Sequence, residues 1–213
     1  MITLRRIAVP ARQHQAGISL VIVLILLFAS VLLGTSAAVI AVQAEKASRG
    51  DRDRQSAFQA AEAALIDAQL DIDTAPGGSG VYHRAEKFSP DSALGFPAND
   101  QVANCVAGNL SPNQGLCKRA LDGSAPSWLA VELADRSANA VSVPYGHFTG
   151  QFFPIGKLTL PAAKPRYVIE LMPYHQPGMN TSSASFAYRI TAIGFGASTD
   201  TQVVLQAFYR KEN

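Results

Sequence analysis

The chain has 213 residues, of which 48% are apolar and 16% charged, and a formal charge of +2. That length holds one domain with a hydrophobic core and something more. A charge so near neutrality gives no basic face to follow a phosphate backbone, which excludes a nucleic-acid binder of the electrostatic kind.

The first segment, Met1 to Gly17, is basic (Arg5, Arg6, Arg12) and ends in Gln15-Ala16-Gly17, directly before a long apolar run. An ordinary secretory signal is cut after its apolar stretch. The nearest small-residue site there, Ala37-Ala38-Val39, is followed by more helical sequence instead of a loop. The pattern therefore predicts a cut between Gly17 and Ile18 that removes the leader and keeps the apolar run. Glycine at that point lets the backbone enter a protease cleft extended and unhindered.

Ile18 to Val42 carries no charged side chain. At about 1.5 Å per residue it crosses a hydrocarbon core of about 30 Å. Arg5, Arg6 and Arg12 lie on one side of it and Lys46, Arg49, Arg52 and Arg54 on the other, so Lys and Arg do not set its orientation. The leader and two later cysteines do: N-terminus in the cytoplasm, bulk of the chain on the oxidising side.

Residues 43–73 continue as helix, without proline and rich in Ala, Gln, Glu, Asp and Arg, up to the stop Thr74-Ala75-Pro76-Gly77-Gly78. Phe58, Ala61, Leu65, Ala68 and Ile72 recur at steps of three and four, the spacing of one buried face. Glu45 to Arg54 alternates sign without an apolar stripe and reads as a solvated neck. A helix of this length reaches about 80 Å, with Gly34 and Gly50 its weakest points.

The stretch Arg49-Gly50-Asp51-Arg52-Asp53-Arg54-Gln55-Ser56-Ala57-Phe58-Gln59-Ala60-Ala61-Glu62-Ala63-Ala64-Leu65, placed after a glycine-ended leader and a retained apolar helix, resembles the PilX family of type IV pilus minor pilins. The likeness is firm over about residues 10 to 70. Tyr167-Val168-Ile169-Glu170 and Tyr188-Arg189-Ile190-Thr191-Ala192 to Leu205-Gln206 are similar more loosely. The resemblance implies cleavage by a prepilin peptidase after Gly17 and methylation of the new N-terminal Ile18. It also implies assembly through the N-terminal helix with other minor pilins and the major pilin, with a tip adhesin as a further partner. Common pilins have glutamate at the fifth position of the mature chain, where its charge meets the N-terminal amine of a neighbour. That position here is Ile22. A carboxylate inside an apolar bundle is tolerable only with a cation to pair with, so its absence suits a subunit with no neighbour ahead.

From Val81 to Val141 the chain is loop-rich, punctuated by Pro90, Pro97, Pro112 and Pro126. Cys105 and Cys117 read as a disulfide across this stretch, since zinc needs further ligands that no Cys/His cluster supplies. Such a loop contributes about 3 kcal/mol in the chain-entropy model. Trp128 to Leu133 is a short strand candidate. Arg166–Met172, Ser185–Ile193 and Thr201–Tyr209 read as strands, the last two joined by the glycine-bearing Gly194 to Asp200. The expected fold is α+β: a pilin-like lollipop whose N-terminal helix is transmembrane over 18–42 and amphipathic over 43–73, packed on a small antiparallel sheet of about four strands in a periplasmic head, 74–213.

No catalytic constellation, metal site or cofactor site is read from the sequence. His83, His147 and His175 lack ligand spacing and read as solvated loop residues. Gly77-Gly78-Ser79-Gly80 is a linker, and Arg49-Gly50-Asp51 is weak as an adhesion tripeptide. Tyr145, His147, Phe148, Phe152 and Phe153 suit either core filling or a docking patch. The expected function is a non-enzymatic minor pilin that helps initiate a type IV pilus and sits at or near its tip, in the inner membrane first and then in the pilus. The alternatives are a tip pseudopilin of type II secretion and a membrane-tethered periplasmic binding or enzymatic domain.

Overall fold

The structure, a computed structural model, describes residues 18–73, 84–98, 104–157, 159–175 and 185–211. The leader, with Gly17, lies outside these residues, as do the Gly77 to Gly80 linker and His83. Helix α1, Ile18–Asp73, runs 56 residues and passes through Gly34 and Gly50 without a break. The chain divides into two units between Ser48 and Arg49.

In the first unit the apolar side chains of Ile18 to Val42 are exposed. Three of its hydroxyls bond back into the helix: Ser30 Oγ donates to the Leu27 carbonyl at 2.8 Å, Thr35 Oγ1 to Leu32 at 3.0 Å and Ser36 Oγ to Leu32 at 2.8 Å. These three hydroxyls are satisfied without water, as an apolar solvent requires.

The second unit is built on a five-stranded sheet: β1 (Leu116–Lys118), β2 (Val143–Pro144), β3 (Arg166–Pro173), β4 (Phe186–Phe195) and β5 (Gln202–Tyr209). The order is β1-β3-β4-β5. β1 and β2 share one side of β3, β1 against Ile169 to Leu171 and β2 against Arg166 and Tyr167. β2, β4 and β5 fit the antiparallel expectation, whereas β1 runs parallel to β3, so the sheet is mixed. Trp128 to Leu133 is not a strand. Pro126 starts a 3-10 turn over Ser127–Leu129, and Ser127 Oγ donates to the Lys118 carbonyl at 2.6 Å, pinning that turn beside β1.

At β3 and β4 the sheet buries side chains on both faces, while β5 leaves Gln202, Val204, Gln206 and Phe208 exposed on one. One core cluster joins Tyr167, Ile169, Tyr188, Ile190 and Ala192 to Ala64, Ala68 and Ile72 of α1. The other joins Val168, Ile193 and Phe195 to Cys117, Leu133 and Ala163, under the long connection from β1 to β3.

Ala61 and Ala68 are fully buried and Leu65 packs against the first cluster, but Phe58 is 37% exposed. The inward stripe is Ala57, Ala60, Ala61, Ala64, Asp67, Ala68, Asp71 and Ile72. It is built of small residues because β4 meets the helix backbone at Gly194. A Cβ there would lie 2.1 Å from the Ala57 carbonyl oxygen and 2.3 Å from the Ala61 nitrogen. So close an approach leaves no room for a phenyl ring, and Phe58 falls to the rim.

Candidate assembly surfaces

The apolar run of α1 is a continuous exposed apolar surface. It is long and apolar enough to cross a membrane by length and composition. Ile22 lies within it, 52% exposed, among neighbours that are all uncharged. A surface of this kind has two stable environments, lipid or other apolar helices.

Where α1 enters the second unit, the side chain of Asp53 accepts a hydrogen bond from the Ala197 N–H, at the start of the β4–β5 connection. A Cβ on Gly196 would sit 2.3 Å from Asp53 Oδ1. Gly194 and Gly196 thus serve close approach to the helix rather than a left-handed turn. The neck is solvated at Arg49, Asp51, Arg52 and Arg54, but Asp53 is a docking residue, which corrects the expectation for that position. A single acid in an alternating-charge run gives no sequence signal of its partner.

At the other end of the same helical segment two carboxylates point inward. Asp71 receives Arg84 in a two-pronged pair: Nη2 to Oδ2 at 2.6 Å and Nε to Oδ1 at 3.0 Å, with both side chains out of solvent. Tyr167 Oη donates to the same carboxylate at 2.9 Å. The Arg84 guanidinium also donates to the Gln114 carbonyl at 2.6 Å and lies 3.7 Å from the centroid of the Phe148 ring. Burial, with Asp71 beside it, raises the Tyr167 phenol well above its ordinary value, so it is a permanent donor. One cation therefore joins helix, loop and sheet, and each group in the cluster is satisfied as burial demands.

Asp67, one turn earlier, accepts from the Gly146 N–H at 2.8 Å and from Thr149 Oγ1. Burial raises its carboxyl above the ordinary range, and the hydrogen bonds from Thr149 and Gly146 offset only part of that. Asp67 and Asp71 together fasten the 145–150 loop and the 84–88 segment to α1.

The aromatic run divides accordingly. Phe148 is core beneath Arg84, Tyr145 packs on Phe153 at 5.1 Å between centroids, and Phe152 is 83% exposed. His147 is not solvated as expected; it packs edge-on against Phe148, and burial lowers its imidazole below the ordinary value. His175 is exposed.

Cys105 and Cys117 form a disulfide that ties the 105–117 loop to β1. Inside that loop Gln114 is fully buried, and its amide donates to the carbonyls of Ala140 and Ser142 at 2.9 Å each. Arg166 reaches the same place from β3, donating to Ser142 Oγ at 2.7 Å. The loop-rich region is ordered by polar side chains aimed at backbone carbonyls, which substitutes for a large apolar core. Among the described residues no group of three or more His, Cys, Asp or Glu is placed to hold a metal ion.

Two family models match the chain: one described as PilX N-terminal over residues 16–65, and one described as type IV pilus assembly protein PilX C-term over residues 113–211. The first covers the apolar helix and the Gly194 contact face, the second all five strands. No curated protein and no solved structure matches the chain.

Proposed function

This chain is a PilX-like minor pilin of type IV pilus assembly, and we propose that it helps initiate the pilus and remains at or near its tip. The observation that carries this reading is the uncharged environment of Ile22, at the place where a common pilin offers a carboxylate to the amine of the subunit ahead. A subunit without that carboxylate has no electrostatic reason to take a place behind another. A subunit at the front needs none.

In this reading a prepilin peptidase cuts between Gly17 and Ile18, and the new Ile18 amine is methylated. Residues 18–42 hold the protein in the inner membrane with residues 74–213 in the periplasm, and later bundle with other minor pilins and the major pilin. A tip adhesin completes the set of partners. Residues 49–73 fasten to the rest of the second unit through Asp53, Asp67 and Asp71 and by the close approach at Gly194. Type II secretion tip pseudopilins of the K type carry a large inserted helical domain. Beyond Asp73 the described residues include only two helical turns of three residues each, which favours the pilus over the secretion reading.

The test is a strain lacking this chain, complemented with the intact protein and with a version in which the apolar helix is replaced by an unrelated membrane anchor. The reading expects few or no pili unless the native helix is restored. Normal piliation with the foreign anchor would reduce the helix to a tether and overturn it.

A further inference from the structure

We propose that residues 151–157, together with the flank of α1 beside them, form a docking surface for the parallel helix of a different membrane-anchored pilus subunit. These residues are a strap laid along α1. At one end, the 146–150 loop is fastened to Asp67 by the Gly146 N–H and Thr149 Oγ1. At the other, Thr159 lines one groove with Arg52, Asp53 and Ser56, and the Ala162 N–H donates to the Gly196 carbonyl at 2.7 Å, beside Asp53. Asp53 and Asp67 stand about 21 Å apart along the helix, and extended chain from 151 to 159 covers about 26 Å, so the strap runs nearly straight. Phe153 packs onto Tyr145, while Phe152 and Ile155 are exposed. At about 100° per residue, Ala63, Leu70 and Ile66 follow Asp67 round the helix on the side opposite to Ala64 and Ala68, which meet the sheet. Ile66 is 57% exposed.

Shape and charge choose the occupant. The surface is straight, lies along α1 and is uncharged from Gln151 to Gly156, which fits the apolar side of a helix lying beside α1. A subunit inserted in the same bilayer offers such a helix. With the apolar runs level in the membrane, the two helices leave it in the same direction and at the same height. Other components of a type IV pilus are the partners this family implies. The charges then exclude a second copy. Arg52 and Lys157, both exposed, stand at the groove end of the strap. A second copy, held level by its own apolar run and paired about an axis along the helices, would bring Arg52 against Arg52 and Lys157 against Lys157. Like charges brought together oppose that pairing. The occupant is therefore a different subunit, with a carboxylate at the height of Arg52 and apolar side chains beyond it.

The test uses the full chain in cells, with a photoreactive benzophenone amino acid as the probe. Placed at Phe152 or at Ile66 and illuminated, it is expected to join the chain to the helix of another anchored subunit, with the joined peptides sequenced by mass spectrometry. The same probe at Leu110, 81% exposed in the disulfide loop, is the control and should give no adduct above background. Arg52→Glu should lower the yield at Phe152 about fivefold. Phe152 is exposed, so Phe152→Asp should leave the melting temperature of the solubilised protein unchanged while the Ile66 adduct is lost. No adduct, adducts to this chain itself or to a non-helical segment, equal yield at Leu110, or yields indifferent to both Arg52→Glu and Phe152→Asp would overturn the proposal. The inference rests on residues 18–42 lying in a membrane and not on placement at the tip. The adduct forms at the membrane with or without a pilus, so this inference and the tip reading fail separately.

Discussion

Asp71 and Arg84 stand thirteen residues apart in sequence and meet as a solvent-free ion pair, with Tyr167 as a third partner. Removing one member leaves the other charged and buried. Arg84→Ala is accordingly expected to lower the unfolding free energy of the detergent-solubilised protein by about 3–5 kcal/mol. Denaturant melts followed by near-ultraviolet circular dichroism check this, and a loss below 1 kcal/mol would show that water repairs the site.

Gly194 and Gly50 form a contrasting pair. Gly194→Ala drives a methyl into the Ala57 and Ala61 backbone and is expected to destabilise by about 2 kcal/mol or more. Gly50→Ala meets nothing within 4 Å and is expected to stabilise α1 by up to about 1 kcal/mol. Melting temperatures of the two variants should move in opposite directions.

The raised carboxyl of Asp67 sets a pH dependence. Its folded form holds a proton more firmly than its unfolded form, so its contribution to stability is complete below the ordinary aspartate value of 3.8 and is lost as pH rises through the raised one. Asp67→Asn keeps acceptor and shape without the charge and should flatten stability against pH in that window. An unchanged slope in the variant would assign the dependence to another group.

The Cys105–Cys117 bond closes a loop at a sequence separation of 12. Its reduction, or Cys105→Ser with Cys117→Ser, should cost about 3 kcal/mol in the chain-entropy model. The loss should be accompanied by faster hydrogen exchange at Gln114 and along β1, the elements that the bond holds.

Restoring an acid within the apolar helix tests the proposed position. Ile22→Glu supplies the carboxylate that a subunit with a neighbour ahead would use, and is expected to lower the number of pili per cell and to disperse the protein from the tip. Unaltered pilus number and unaltered tip labelling would remove the basis for that placement.

The periodic elements were legible because burial imposes a period. The uncharged run from Ile18 set the start of the helix, alternation set β4 and β5, and the stop at Pro173 set β3, each strand to within two residues at either end. Phe58 misled because the largest apolar side chain of a helix is not the innermost one where a strand backbone comes within touching distance at Gly194. Arg84, Gln114 and Asp71 carried no signal. They are polar residues in or beside loops, buried through partners 13 to 96 residues away, and no periodic pattern reports a contact of that kind. β1 escaped notice because three residues tied to Cys105 by a disulfide, and joined to β3 where Ile169 N–H donates to the Gly115 carbonyl, need no strand sequence of their own.

The most direct measurement is the intact mass of the protein extracted from membranes of cells with an active prepilin peptidase. A chain beginning at Ile18 and carrying an added methyl group is the predicted result. A mass that starts at Met1, or one that starts beyond residue 42 with the apolar helix gone, would contradict the account.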